Sequence, residues 1–218
     1  MPDMLQQTIL PTNQDHPPVL EAWALSGGPG GQDLLRDITL QLPAGVSALT
    51  GDEGTGKTSL LRLLAGDLPA TAGHMRLRGQ PWPMGQPHQA SVFWADLRLP
   101  LHDEDTPLQC WSTWQQTLPL WCEDIQQALV EALHMAPHLH KRLNMLSTGS
   151  RRKVGLVTAL ASGATVTLLD QPFVSLDHAS ICVIKDVLTD AAEQTERAWL
   201  VADYEAPTDI PLASLLQL

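Results

Sequence analysis

A chain of 218 residues, 44% of them hydrophobic, is long enough to bury a full core as one domain, or as one domain with a small subdomain. Its formal net charge of −11 and pI near 5.0 argue against a nucleic-acid partner, which needs a basic surface. No apolar run approaches the roughly 20 residues that span a bilayer, and no signal peptide opens the chain, so a cytoplasmic protein is expected.

Residues 1–18, with Pro2, Pro11, Pro17 and Pro18 among polar residues, read as a flexible lead-in to a single domain over 19–218. Val19 to Leu25 fits a first strand, and Gly27-Gly28-Pro29-Gly30-Gly31 forces a turn. Leu34 to Leu42 alternates like a second strand. Pro43-Ala44-Gly45 then turns the chain into the short apolar strand Val46 to Thr50.

The stretch that follows carries the most specific chemistry. Gly51-Asp52-Glu53-Gly54-Thr55-Gly56-Lys57-Thr58 matches the phosphate-binding loop G-x-x-x-x-G-K-[ST] without a mismatch, between a strand and the leucine-rich helix Lys57 to Ala65. Glycines let the backbone turn its N–H groups onto phosphate oxygens, and the helix N-terminus aims unpaired donors at the same anion. Lys57 is expected to reach the β- and γ-phosphates, Thr58 to bind Mg²⁺ through its hydroxyl, and Ser59 to complete the loop's binding set. A nucleoside triphosphate is the expected ligand.

Gly66-Asp67-Leu68-Pro69 stops the helix, and a short strand is expected between Gly73 and Gly79. Residues 80–108 are proline-rich and irregular apart from the apolar run Ala90 to Trp94, and 109–146 read as helical with breaks at Pro119 and Pro137. A helix over 150–161, a buried strand from Ala164 to Asp170, a helix from Ile181 to Ala192 and a strand from Trp199 to Ala202 complete the pattern. Strands alternating with helices imply a mostly parallel sheet. Cys110, Cys122 and Cys182 show no C-x-x-C spacing and fit free thiols in a reducing compartment.

Four stretches together resemble an ATP-binding cassette (ABC) ATPase. The phosphate loop is one; Leu146-Ser147-Thr148-Gly149-Ser150 resembles the family signature L-S-G-G-Q and opens a helix as the signature does. Leu168-Leu169-Asp170-Gln171-Pro172 resembles the Walker B segment L-L-D-E-P, and Val174-Ser175-Leu176-Asp177 resembles the loop that crosses the dimer interface. The resemblance covers roughly residues 19–205. It implies an α/β P-loop NTPase fold, with a mostly parallel sheet core, a small antiparallel β subdomain and a helical subdomain at about 97–160. It also implies ATP and Mg²⁺ as cofactors, with Asp170 and Thr58 at the metal. The family forms homo- or heterodimers with ATP sandwiched between one phosphate loop and the other signature, so Ser147 and Gly149 would meet a partner's γ-phosphate. A separate transmembrane subunit would hold the chain at the inner face of the membrane.

The catalytic positions depart from the family pattern. Gln171 stands where the general base is glutamate; its amide can orient water but cannot accept a proton as carboxylate does. Asp203 stands where a γ-phosphate-sensing histidine is expected, and a carboxylate there repels that phosphate. No glutamine appears in Val92-Phe93-Trp94-Ala95-Asp96, and no adenine-stacking aromatic appears at Gly27 to Gly31. Gln171 alone would also fit an engineered ATP trap; the further departures favour a naturally altered cassette. Slow hydrolysis and weak base preference follow.

His134, His138 and His140 lack a completing carboxylate or cysteine and fit a solvated group better than a metal site. Trp111, Trp114 and Trp121, in the segment that faces the membrane partner in this family, fit ordinary packing first and an interface second. Arg151, Arg152 and Lys153 read as a solvated basic patch or a phosphate contact. The leading expectation is the ATP-binding subunit of a transport system, resembling stand-alone subunits such as the haem-exporter type. The alternatives are a non-catalytic ATP-sensing cassette and the degenerate half of a heterodimer.

Overall fold

The computed structural model describes residues 17–83, 88, 90–94 and 103–218. Most of the expected lead-in, the positions Ala95 and Asp96 and the first residues of the expected helical subdomain lie outside that set.

β1 (Leu20–Gly27) and β2 (Leu35–Leu42) pair antiparallel, with Leu20 opposite Leu42 and Gly27 opposite Leu35. The alternation of β2 slips at Asp37, whose φ of 53° makes a bulge and whose N–H donates to Ser26 Oγ at 2.9 Å. β4 (Ala70–Leu77) pairs with the other edge of β1 and turns through Arg78-Gly79 into β5 (Gln80–Trp82). β4 therefore starts before the expected Gly73. β5 was not expected at all, since Pro81 masks its strand character; at the sheet edge a missing N–H is harmless.

The second sheet is parallel, in the order β6 (Val92–Trp94), β7 (Val166–Asp170), β8 (Ala198–Asp203), β3 (Gly45–Thr50) and β9 (Ser214–Gln217). Both of its faces are covered, which is why β7 is buried along its whole length. Successive residues of β7 and β8 serve opposite layers. Val166, Leu168 and Leu200 pack in one cluster with Leu60, Leu61 and Leu64 of α1 (Lys57–Leu64) and with the antiparallel sheet. Leu169, Trp199 and Val201 pack in the other, with α4 (Thr148–Ala161) and α5 (His178–Ala192). β9 was missed because a four-residue edge strand leaves no readable period.

α2 (Pro107–Thr117) starts with Pro107 at its first position and a reciprocal capping box between Thr106 and Gln109. α3 (Glu123–Ala132) follows the break at Pro119, and Pro137 sits in a single 3-10 turn. α5 begins three residues before the apolar period does, because Asp177 caps it. The tryptophans pack: Trp111 is buried and donates to the Val154 carbonyl at 3.1 Å, Trp114 stands edge-on to Phe93 at 5.4 Å, and Trp121 donates to Gln126 at 3.0 Å. The three cysteines are free thiols, and burial pushes that of Cys110 up to about 11. Among the described residues no helix is long and apolar enough to cross a membrane.

Candidate functional site

The central strand β3 delivers the chain to its C-terminal edge, where it must reverse onto α1 within six residues. Gly56 makes this possible at φ 103°; a Cβ there would lie 2.9 Å from Leu35 Cδ2. Asp52, Glu53 and Gly54 form the exposed crest, and Thr55 Oγ1 donates to the Asp52 carbonyl at 3.0 Å. Gly51 closes the base of the loop, where a Cβ would lie 2.6 Å from the Leu218 carbonyl.

Lys57 is almost wholly buried, and its ammonium curls back over the loop, donating to the carbonyls of Gly51 at 2.5 Å and Asp52 at 2.8 Å. The Tyr204 ring centre lies 4.9 Å from the same ammonium. Beside it, Thr58 Oγ1 donates to Asp170 Oδ2 at 2.6 Å. Asp170 is the last residue of β7 and continues the Val166, Leu168 row that faces α1, so sheet alternation alone aims its carboxylate at Thr58. Ser59 is buried one residue further along α1. Loop amides, a helix N-terminus and an ammonium suit an oxyanion; a hydroxyl and a carboxylate oxygen side by side are the hard donors that suit Mg²⁺.

Gln171 follows Asp170 in the left-handed region, φ 48°, a conformation that costs a non-glycine residue about 1–2 kcal/mol. Two main-chain bonds hold it: its N–H donates to the Ala202 carbonyl at 2.8 Å, and its own carbonyl accepts from the buried Arg152 guanidinium. Asp203 ends β8, half-buried, with Oδ1 accepting the Tyr204 N–H at 2.8 Å. Burial raises its pKa and the charge of Asp170 adds to this, outweighing the Tyr204 bond, Lys57 and Arg152.

Ser147 and Gly149 belong to a neighbouring cluster at the start of α4. Ser147 is the helix cap, its Oγ accepting the Ser150 N–H at 3.1 Å and donating to Ser150 Oγ at 3.0 Å. Gly149 lies under the 174–177 segment, where a Cβ would come 2.6 Å from the Ser175 carbonyl. The three cations of α4 do not form the solvated patch suggested by their sequence. Arg151 donates to the Leu143 carbonyl at 2.7 Å and pairs with Asp103 at 3.2 Å; Arg152 binds Gln171; Lys153 pairs with Asp177 at 3.0 Å. The Ser180 N–H and then Lys153 hold the Asp177 carboxyl well below its usual range.

Sequence reasoning missed Arg152 as a tie between α4 and Gln171, because the link runs to a main-chain carbonyl that no residue type announces. It also missed Tyr204. The signal was present: it is the chain's single tyrosine, and it directly follows Asp203. A groove of about 530 Å³ in the helical region, lined by residues such as Trp111, Val130, His134 and Leu139, shares no residue with the loop.

Comparison with known proteins agrees with this geometry. The model of the family described as ABC transporter matches residues 35–174. The cytochrome c biogenesis ATP-binding export protein CcmA of Pseudomonas savastanoi pv. phaseolicola is 35% identical over 184 residues, covering 82% of this chain and 84% of that protein. Among solved structures, a putative ABC transporter ATP-binding protein from Pyrococcus furiosus superposes with a TM-score of 0.73 at 22% identity, over 91% of this chain and 96% of that one. A dimeric ATP-binding cassette in a post-hydrolysis state, bound to ADP and phosphate, gives 0.69 at 17% identity, over 85% and 88%.

Proposed function

The chain belongs to the ABC transporter family, and on that premise we propose that it is an ATP-binding, slowly hydrolysing subunit that drives a separate membrane subunit. The observation that carries the reading is the 2.6 Å bond between Thr58 and Asp170, which joins the end of the phosphate loop to the end of β7 across 112 residues of sequence. The likeness to CcmA favours an export system of that kind.

ATP would lay its β- and γ-phosphates on the 51–56 amides and the α1 N-terminus. Lys57 would release the Gly51 and Asp52 carbonyls, which hold its ammonium over the loop, for phosphate oxygens. Thr58 and Asp170 would hold Mg²⁺, which neutralises phosphate charge when bound. The Gln171 amide positions a water but takes no proton from it, and the Asp203 carboxylate opposes the γ-phosphate; both slow the hydrolytic step. Ser147, Gly149 and the N-terminus of α4 would meet the γ-phosphate of an ATP held by a second cassette, identical or different. The chain would sit in the cytoplasm, at the inner face of the membrane, through its partner subunit.

Asp203, raised in pKa beside Lys57 and Asp170, also favours a second reading: an ATP-sensing cassette, or the non-hydrolysing half of a heterodimer. Equilibrium binding of Mg·ATP to the purified protein tests the first reading, with Lys57→Ala as control. Saturable binding that Lys57→Ala removes supports it; equal affinity in the two proteins sinks it. ATP turnover that is absent even in Gln171→Glu turns the choice to the second.

A further inference from the structure

We propose that Tyr204 is the γ-phosphate contact of this chain, its phenol O–H donating to the terminal phosphate of ATP seated on the 51–58 loop. The inference rests on the ATP-binding reading and assigns to that site a residue that neither motif nor resemblance provides.

Asp203, the neighbouring residue, cannot make this contact. A carboxylate is an acceptor only, so it offers nothing to an anionic phosphate oxygen. One of its oxygens is moreover turned onto its own chain, accepting the Tyr204 N–H at 2.8 Å. That bond ties the carboxylate to the backbone of the next residue, just past the end of β8. Asp203 is thus a positioning residue for the one that follows it.

Tyr204 has the complementary properties. It is an uncharged donor at the end of a strand flanked on both sides by the strands that carry the site: β7, ending in Asp170, and β3, feeding the loop. Its ring already sits 4.9 Å from Lys57 Nζ, on an ammonium whose other partners are the Gly51 and Asp52 carbonyls. Lys57 is the loop's proposed phosphate ligand, so an oxygen bound to that ammonium would lie beside the Tyr204 ring. Tyr204 is 49% exposed, so an incoming group can reach it. A phenol that bonds the third phosphate distinguishes ATP from ADP, whereas a ring that merely shields Lys57 distinguishes neither.

Isothermal titration with Mg·ATP and Mg·ADP on the full chain separates these cases. Tyr204→Phe keeps the ring and deletes the donor; it is expected to leave ADP affinity within about twofold and to weaken ATP about tenfold, as for loss of a hydrogen bond to a charged group. Tyr204→His restores a donor and recovers part of the ATP preference. An ATP:ADP affinity ratio in Tyr204→Phe equal to that of the wild type overturns the inference, even if Tyr204→Ala weakens both nucleotides together. Wild-type protein that binds ATP no better than Lys57→Ala overturns the ATP-binding reading itself, and the inference with it; the two failures are therefore distinct.

Discussion

At the loop end of the nucleotide site, Lys57, Thr58 and Asp170 are held by hydrogen bonds of 2.5–2.8 Å to one another's segments, and Lys57 and Asp170 are buried. At the far end, where the proposed reading puts Gln171 and Asp203 in place of a base and a phosphate donor, the backbone is just as firmly tied. The contrast shows that binding and hydrolysis place different demands on a chain. Binding draws on backbone geometry: glycine at the turn, amides in a row, a helix end. Hydrolysis hangs on a few side-chain atoms that can be exchanged without disturbing a strand.

The loop end should break hardest. Lys57→Ala is expected to lower ATP affinity by at least about 100-fold, since it deletes two or more charge-assisted bonds of about 1.5–3 kcal/mol each; calorimetric titration measures it.

At the far end, Asp203→Asn tests whether the raised carboxyl opposes the ligand. Its pKa is raised by burial, so the ionised form is disfavoured in the folded protein. The penalty is present above the folded pKa and disappears as pH falls below the ordinary carboxylate value. Protonation also removes a negative charge facing the γ-phosphate, so wild-type ATP affinity should rise as pH falls towards the raised pKa. Asp203→Asn should bind ATP about tenfold tighter at neutral pH, as expected for roughly 1–2 kcal/mol of relieved repulsion, and should flatten that pH profile.

Beside the far end lies α4, tied to it through Arg152 and the Gln171 carbonyl. Gly149→Ala would force a Cβ to 2.6 Å from the Ser175 carbonyl, a main-chain atom with little room to retreat. A loss of about 1–3 kcal/mol is expected, read as a lower midpoint in urea unfolding. Asp177→Ala should cost less, about 1 kcal/mol, by removing the α5 cap, with a fall in Tm of about 2–4 °C. The depressed pKa of Asp177 gives a stabilisation present above the ordinary carboxylate range and lost only in acid, so the difference between the two proteins should shrink as pH falls.

The same contrast explains what could be read in advance. The loop, Asp170 and the parallel sheet were legible because a residue pattern encodes them locally: glycine spacing, an apolar run closed by an acid, strands alternating with helices. β9 and β5 were not, since each gains its strand character from a neighbour rather than from its own three or four residues. Arg152 and Lys153 looked like surface charge because their partners, the Gln171 carbonyl and Asp177, lie 19 and 24 residues away. Ser147 was legible as part of a signature, but its work as a helix cap shows only in the geometry.

On the proposed reading, the site is assembled for binding and held back at the hydrolytic end. ATP turnover by the wild type beside Gln171→Glu, with Lys57→Ala as background, tests it most directly. Turnover at least tenfold higher in Gln171→Glu, about 1.4 kcal/mol of barrier, is the expected result. Wild-type turnover equal to or above that of Gln171→Glu would contradict it.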